Sequence, residues 1–230
     1  MSPLDSVKRN NTAAFFDLDN TLISGTSIYY FVRGLVKHGE ITRRSIAKLA
    51  YHHLRFLQSK TETESAIETT TKKLLDLTAG KACANLHDLC LRIVEEFLPK
   101  KLNSNLLAEV NRHKTEGRDT YIITASPKEI AQIVSTKLGM TEGFGTNVEI
   151  IEERYSGRLI SKPLHGFSKA EKITELAIAK NYDLDNSFAY SDSINDLPML
   201  ALVGYPNIVN PNKELETLAK KNRWPILNSA

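Results

Sequence analysis

The stretch "FFDLDNTLIS", residues 15–24, is the most informative segment of the chain, because an apolar run passes directly into two acids. Asp17 follows two phenylalanines, and Asp19 follows it with only Leu18 between them. In an extended segment, residues two apart point to the same side. At the end of a buried strand, both carboxylates would therefore face one crevice.

Two carboxylates this close raise each other's pKa unless a positive charge neutralises them. A divalent cation does this well, and Mg²⁺ prefers oxygen ligands such as carboxylates, waters and phosphate. The alternative is structural: an Asx-turn that closes the strand, with Asn20 and Thr21 as the turn-forming residues. The stretch by itself leaves both interpretations open.

Several other apolar runs also end in polar residues. "AAFFDLD" (13–19), "DTYIITAS" (119–126) and "SFAYSDS" (187–193) share this design, and "YPNIVN" (205–210) is a shorter example. Helical patterns lie between them, which predicts an α/β fold with a doubly wound parallel sheet. Ligands of such sheets bind beyond the carboxyl ends of the strands, so the polar strand ends are expected to converge.

The stretch from residue 27 to residue 116 does not alternate and shows helical periodicity throughout. We predict an inserted helical cap at 27–116, with the α/β core formed by 1–26 and 117–230. Pro99 is expected to stop one of the cap helices. Three apolar stripes carry this prediction: Ile46, Leu49, Ala50, His53, Leu54 and Leu57; Leu86, Leu89, Cys90, Ile93, Val94, Phe97 and Leu98; and Leu106, Leu107 and Val110.

Two local signals follow in the second half of the core. Residues 142–162 are expected to form a small β-excursion, with Ser156-Gly157 as its turn. Ser168 and Glu171 have the spacing of a capping box, which predicts that a helix begins there.

Composition excludes several classes of protein. The 230 residues have a formal net charge of +3, and basic residues are spread along the chain, so no nucleic-acid partner is expected. The polar N-terminus resembles no secretory signal, and no apolar run reaches the roughly 20 residues that span a bilayer. Cys83 and Cys90 are expected to be buried reduced thiols. We therefore predict a cytoplasmic protein without membrane insertion; the sequence does not determine the oligomeric state.

The remaining strand ends add residues suited to phosphoryl transfer. "SDSIND" (191–196) supplies Asp192 and Asp196, and Lys169 lies just inside a predicted helix. Thr124 to Ser126 offer hydroxyls and backbone N–H groups where a helix begins, which favours phosphate binding. Each of these residues singly has a structural explanation, but the combination predicts a phosphoryl-transfer site.

With these motifs in order, the chain resembles the haloacid dehalogenase (HAD) superfamily of phosphatases. "DLDNT" (17–21) matches the first motif DxDxT, "ITAS" (123–126) the second, Lys169 the third, and "SDSIND" the fourth, usually GDxxxD. The helical insertion resembles the cap of the phosphoserine-phosphatase-like branch, subfamily IB. Ser191 stands where the family often has Gly.

The resemblance implies a Mg²⁺-dependent phosphatase that hydrolyses a small-molecule phosphate monoester through an aspartyl-phosphate. Asp17 would be the nucleophile and Asp19 the general acid and base. Mg²⁺ would bind Asp17, Asp192 and the backbone carbonyl of Asp19. The phosphoryl group would be held by Thr124, Ala125, Ser126 and the catalytic Lys169, with Asn195 and Asp196 as supporting residues.

Two alternatives stay open at this point. A phosphotransferase on the same scaffold would differ only in the acceptor, and a non-enzymatic phospho-acceptor domain would also gather acids around a strand-end aspartate. The substrate is open as well. Phosphoserine phosphatases place an acid shortly after the first motif to hold the substrate's ammonium, whereas residues 23–27 contain none. This favours a neutral or hydroxyl-bearing leaving group, unless a cap residue supplies the acid: Glu62, Glu64 or Glu68.

Overall fold

The computed structural model describes residues 11–41, 75 and 78–228. Within these ranges the strands are β1 (Ala13–Phe16), β2 (Asp119–Pro127), β3 (Glu142–Thr146), β4 (Val148–Ile151), β5 (Arg154–Leu159), β6 (Phe188–Ser191), β7 (Tyr205–Val209) and β8 (Ile226–Leu227). The helices are α1 (Ser27–Lys37), α2 (Cys83–Lys101), α3 (Ser104–Thr115), α4 (Lys128–Lys137), α5 (Phe167–Lys180), α6 (Leu197–Leu200) and α7 (Lys213–Asn222). The predicted stripe from Ile46 to Leu57 and the glutamates 62, 64 and 68 lie outside the described residues.

Six strands form one parallel sheet in the order β3-β2-β1-β6-β7-β8. The order steps outward from β1 in both directions, so the sheet is doubly wound and β1 lies near its centre. The predicted α/β fold class is confirmed. The sequence reading missed β3 as an edge strand of this sheet, and it did not identify α7 or β8.

Strand β1 shows why the sheet is buried on both faces. Ala14 and Phe16 belong to one apolar cluster, and Ala13 and Phe15 belong to the other. The first cluster takes residues from α1 to α4, and the second takes residues from α5, α6 and α7. The alternation has the period of two that an extended chain imposes, so every side chain of this short strand enters a core.

The described helices of the insertion pack on the same face of the sheet. Leu106 and Val110 of α3 are fully buried, and the predicted stripe of α2 from Leu86 to Leu98 is buried as well. The close approach of α1 to α2 requires a glycine, because a Cβ added at Gly34 would lie 2.4 Å from Ile93 Cγ1. The boundary of a separate cap at 27–116 stays a prediction.

Three local predictions were wrong. Helix α2 does not stop at Pro99 but continues to Lys101. Helix α5 begins at Phe167, two residues earlier than a capping box at Ser168 requires; its N-cap is Gly166, with φ 55°, so Ser168 lies inside the first turn. The turn between β4 and β5 is formed by Glu152 and Glu153, whose φ values are 48° and 59°.

The hairpin β4–β5 has a structural role beyond its own pairing. The N–H of Tyr155 donates to the carbonyl of Lys81 at 3.0 Å, and the N–H of Gly80 donates to the carbonyl of Tyr155 at 2.8 Å. The N–H of Cys83 donates to the carbonyl of Glu153 at 2.8 Å. The hairpin is therefore bonded to the segment that leads into α2, which connects the helical insertion to the part of the chain that follows β3.

A buried histidine lies behind β1 on the insertion side. His113 of α3 is fully buried, its Nε2 lies 2.9 Å from the Tyr190 hydroxyl, and its ring packs against Phe16. Burial, together with the positive charges of Arg112 and Arg118, lowers the pKa of His113 to about 3. The ring is therefore neutral in the folded protein at any pH near neutrality.

This predicts a specific loss of stability in mild acid. The unfolded chain protonates the histidine near pH 6.5 while the folded chain does not, so the unfolded state binds more protons and stability falls as pH falls below 6.5. Relative to His113→Gln, the wild type should lose about 2 kcal/mol of unfolding free energy between pH 7 and pH 5. Urea unfolding at both pH values measures this difference. Parallel pH profiles of the two proteins would contradict the assignment.

Candidate active site

The carboxyl ends of β1 and β6 place two acids side by side. The N–H of Asp17 donates to the carbonyl of Tyr190 at 2.9 Å, which continues the parallel pairing one residue beyond β1. Asp192 follows β6 directly, and its Oδ1 accepts a hydrogen bond from Thr21 Oγ1 at 3.3 Å. Thr21 is fully buried, so the loop after β1 also carries a fixed contact to the end of β6.

A buried lysine connects Asp17 with Asp196. Lys169 Nζ donates to Asp17 Oδ1 and to Asp196 Oδ2, each at 2.7 Å. The side chains of Lys169, Asp17 and Asp196 are 3%, 9% and 2% exposed. Asp196 Oδ2 also accepts from Ser191 Oγ at 2.6 Å. The serine at the position where the family often has glycine therefore contributes a hydrogen bond that a glycine would lack.

Burial and charge act in opposite directions on this triad. Burial raises the pKa of Asp17, and the Lys169 ammonium opposes that effect without cancelling it. Burial on its own lowers the pKa of Lys169, but Asp17 and Asp196 raise it by more, so the lysine stays charged. Burial also raises the pKa of Asp192 to about 6, with Asp196 adding to the rise.

Asp19 is held on the other side of the site by α1 and β2. Its Oδ1 accepts from the backbone N–H of Ser27 at 2.8 Å, and its Oδ2 accepts from Ser126 Oγ at 3.2 Å. The hydroxyls of Ser27 and Ser126 lie 2.5 Å apart, and both residues are buried. Burial raises the pKa of Asp19, while the hydrogen bonds from Ser27 and Ser126 lower it, and the net shift is upward.

The predicted phosphate-binding residues divide into different roles. Thr124 is buried and its Oγ1 accepts the N–H of Ser126 at 3.2 Å, whereas the Ser126 hydroxyl is engaged with Asp19. Ala125 between them is partly exposed. Asn195 is exposed, and its backbone N–H donates to Ser193 Oγ at 3.2 Å. The structure thus brings Asp17, Asp19, Asp192 and Asp196 together around Lys169, while Asn195 is exposed.

Sequence reasoning missed the support given by Ser27 and Ser191. Ser27 belongs to the acid-free stretch 23–27 that favours a neutral or hydroxyl-bearing leaving group, but it is fully buried and its backbone N–H donates to Asp19 instead. The position of Ser27 at the start of α1 could have indicated this contact. The first N–H groups of a helix lack intrahelical partners and favour a carboxylate. Nothing in the sequence pairs Ser27 with Ser126, which lies 99 residues away.

The acids at the strand ends supply oxygen atoms that could bind a metal ion. In the described part of the chain, no three His, Cys, Asp or Glu side chains form a metal-binding group by themselves. Mg²⁺ commonly takes only one or two carboxylates and completes its shell with waters and phosphate. Asp17 and Asp192 lie at the ends of paired strands, and among described residues only Lys169 hydrogen-bonds the Asp17 carboxylate. These residues fit Mg²⁺.

A parallel sheet with acids, hydroxyls and a buried lysine at its strand ends defines the class of phosphoryl-transfer enzymes of the α/β type. Residues 14–201 match the family of haloacid dehalogenase-like hydrolases, and the chain belongs to that family. The resemblance drawn from the four motifs is therefore confirmed, as is the enzyme class, a HAD-type phosphatase.

Named relatives agree with this membership, and a solved structure shares the fold. A protein of Mycobacterium tuberculosis named phosphoserine phosphatase SerB1 is 35% identical over 93% of this chain and 70% of its own length. A histidinol-phosphatase of Neisseria meningitidis serogroup C is 29% identical over 94% of this chain and 97% of its own length. A crystal structure of a protein of unknown function from Bordetella pertussis Tohama I superposes with a TM-score of 0.82 at 23% identity, covering 94% and 97% of the two chains. Across the described ranges, no helix is long and apolar enough to cross a membrane.

The buried triad predicts a large stability effect at Lys169. Lys169→Met leaves Asp17 and Asp196 buried without their cation, so the unfolding free energy should fall by about 3–5 kcal/mol. Adding Asp196→Asn should recover part of that loss, because one of the two uncompensated charges is then removed. Urea unfolding at pH 7 measures both variants.

Lys172→Met is the matched control on the same helix. Lys172 is 30% exposed and pairs with Glu175 at 3.0 Å near the surface, where a pair contributes about 0–1 kcal/mol. Equal losses at Lys169 and Lys172 would show that the buried triad is not a special source of stability.

Proposed function

We propose that the chain is a Mg²⁺-dependent phosphatase that hydrolyses a small-molecule phosphate monoester through an aspartyl-phosphate on Asp17. The observation that carries the proposal is the position of Lys169 Nζ, 2.7 Å from both Asp17 and Asp196 in a buried site. An ammonium held against the carboxylate orients Asp17 and offers positive charge to an incoming phosphoryl group. A cytoplasmic location stays a prediction from the sequence.

The reaction divides between the two acids of the first motif. Asp17 attacks phosphorus in line, which splits one difficult displacement into two easier ones. Asp19 protonates the leaving oxygen and then removes a proton from the attacking water. Its raised pKa suits this acid role, because a general acid must be protonated at the working pH.

The residues around the acids position the phosphoryl group and the charges. Thr124, Ala125 and Lys169 bind phosphoryl oxygens, while Ser27 and Ser126 hold Asp19 toward the leaving oxygen. Asp17, Asp192 and the backbone carbonyl of Asp19 would hold Mg²⁺, which when bound would neutralise negative charge that otherwise repels the phosphate. Asp196 keeps Lys169 in place through the second 2.7 Å contact.

Metal dependence is the first test of this proposal. Phosphate release from p-nitrophenyl phosphate should require Mg²⁺, disappear after treatment with EDTA and return when Mg²⁺ is added back. The physical reason is that the buried carboxylates of the site outnumber Lys169, so their negative charge is not balanced without a cation. A rate unchanged by EDTA would remove the metal from the mechanism. Analysis of the products, with and without added alcohol, distinguishes hydrolysis from transfer to another acceptor.

Substitution of the two acids tests their division of roles. Asp17→Asn should abolish turnover at nearly unchanged volume. Asp19→Asn should lower kcat by about 10²–10⁴-fold, because one acid–base group is lost. With an activated leaving group, Asp19→Asn should still accumulate phosphate on Asp17, which mass spectrometry of the acid-quenched protein detects. Wild-type turnover by a folded Asp17→Asn variant would sink the nucleophile assignment.

A further inference from the structure

A cavity of about 60 Å³ adjoins the phosphate-binding loop. Its lining includes Ala125 after β2 and Ile28 and Phe31 of α1, together with Cys90 of α2 and Tyr155 of β5. The cavity volume exceeds the space that one water molecule needs. Most of the lining is apolar, so the cavity suits a short organic segment better than a hydrated ion.

The cavity lies on the Asp19 side of the site. Among the described residues, Ser27 and Ser126 hydrogen-bond the Asp19 carboxylate, and their chain neighbours Ile28 and Ala125 line the cavity. In the proposed reaction Asp19 protonates the leaving oxygen, so that oxygen lies next to Asp19. The carbon chain attached to it can then extend past Ala125 and Ile28 into the cavity.

Among the described residues that line this apolar space, Glu129 is the one carboxylate. Glu129 is in the first turn of α4, and its Oε1 accepts a hydrogen bond from the Tyr155 hydroxyl at 2.7 Å. None of the salt bridges within the described ranges includes Glu129. The Glu129 charge affects Cys90 in the cavity wall: burial raises the pKa of the Cys90 thiol, and Glu129 raises it further. An anion in apolar surroundings without a basic partner favours a cationic ligand.

We propose that this cavity binds the leaving group of the substrate and that Glu129 pairs with an ammonium on it. The substrate class is then the phosphate monoester of an amino alcohol that carries no carboxylate. The inference rests on the proposed phosphatase function and names the substrate of that site. A carboxylate beside the ammonium would be repelled by Glu129, so phosphoserine should be a poorer substrate than its decarboxylated counterpart. A neutral leaving group is expected from the absence of an acid at residues 23–27 unless the cap supplies one; Glu129 lies outside that stretch and outside the predicted cap.

Two compounds of equal length test the pairing. Phosphoethanolamine and propyl phosphate differ by an ammonium in place of a methyl group. The wild type should prefer phosphoethanolamine by about 10- to 100-fold in kcat/KM, the range of a hydrogen bond to a charged group. Glu129→Gln should bring the ratio close to one, and Glu129→Asp, which keeps the charge, should retain a preference for the amine.

Glu214→Gln is the matched control, because Glu214 also lies in the first turn of a ten-residue helix, α7, and is exposed. This variant should keep the wild-type ratio, which separates the cavity charge from a general helix effect. An equal preference for both compounds in the wild type, or an unchanged ratio in folded Glu129→Gln, overturns the inference. If p-nitrophenyl phosphate is hydrolysed with Mg²⁺ in that case, the proposed function stands; if no monoester is hydrolysed, the proposed function fails with it.

Discussion

The ion triad of Asp17, Lys169 and Asp196 is the interaction on which the rest of the site depends. Its members come from three separate places in the chain: the end of β1, the first turn of α5 and the segment after β6. Each is nearly inaccessible to water, and isolated charges at that depth would be strongly unfavourable. The two 2.7 Å contacts offset that penalty only when all three elements are in place, so folding also fixes the position of Asp17, the proposed nucleophile.

The triad also sets the charge of the site. Two carboxylates face one ammonium, and Asp192 and Asp19 add further acids within the same group of strand ends. A phosphoryl group, itself negative, would meet net repulsion there. This excess supports the proposal of a bound cation more strongly than any single ligand does, because the lysine is already shared between two acids and cannot neutralise the others.

The sequence predicted those parts of the site that follow from the pattern of apolar strands alternating with helices. Asp17 and Asp192 could be placed because residues after buried parallel strands meet at one edge of the sheet. The support of Asp19 could not, because Ser27 and Ser126 meet only through the packing of α1 against the end of β2. Turn prediction from residue type failed where tertiary contacts determined the conformation. The β4–β5 hairpin turns at Glu152-Glu153, although glutamates are uncommon at two consecutive positions with positive φ. Gly157, where the turn was predicted, lies within β5.

The connection from β2 to α4 carries, within a few residues, both a residue that contacts Asp19 and a residue proposed to select the substrate. Ser126 hydrogen-bonds Asp19, the proposed general acid, and Glu129, three residues later, lines the cavity proposed for the leaving group. The carbonyl of Ala125 is fixed by Thr146 Oγ1 at 2.6 Å, so this connection is held from β3 as well. A leaving group that fills the cavity and pairs with Glu129 would therefore press on the same rigid segment that positions Asp19. Binding energy from a part of the substrate remote from phosphorus could then be used to align the proton donor with the leaving oxygen, which is how such contacts raise kcat rather than only lower KM.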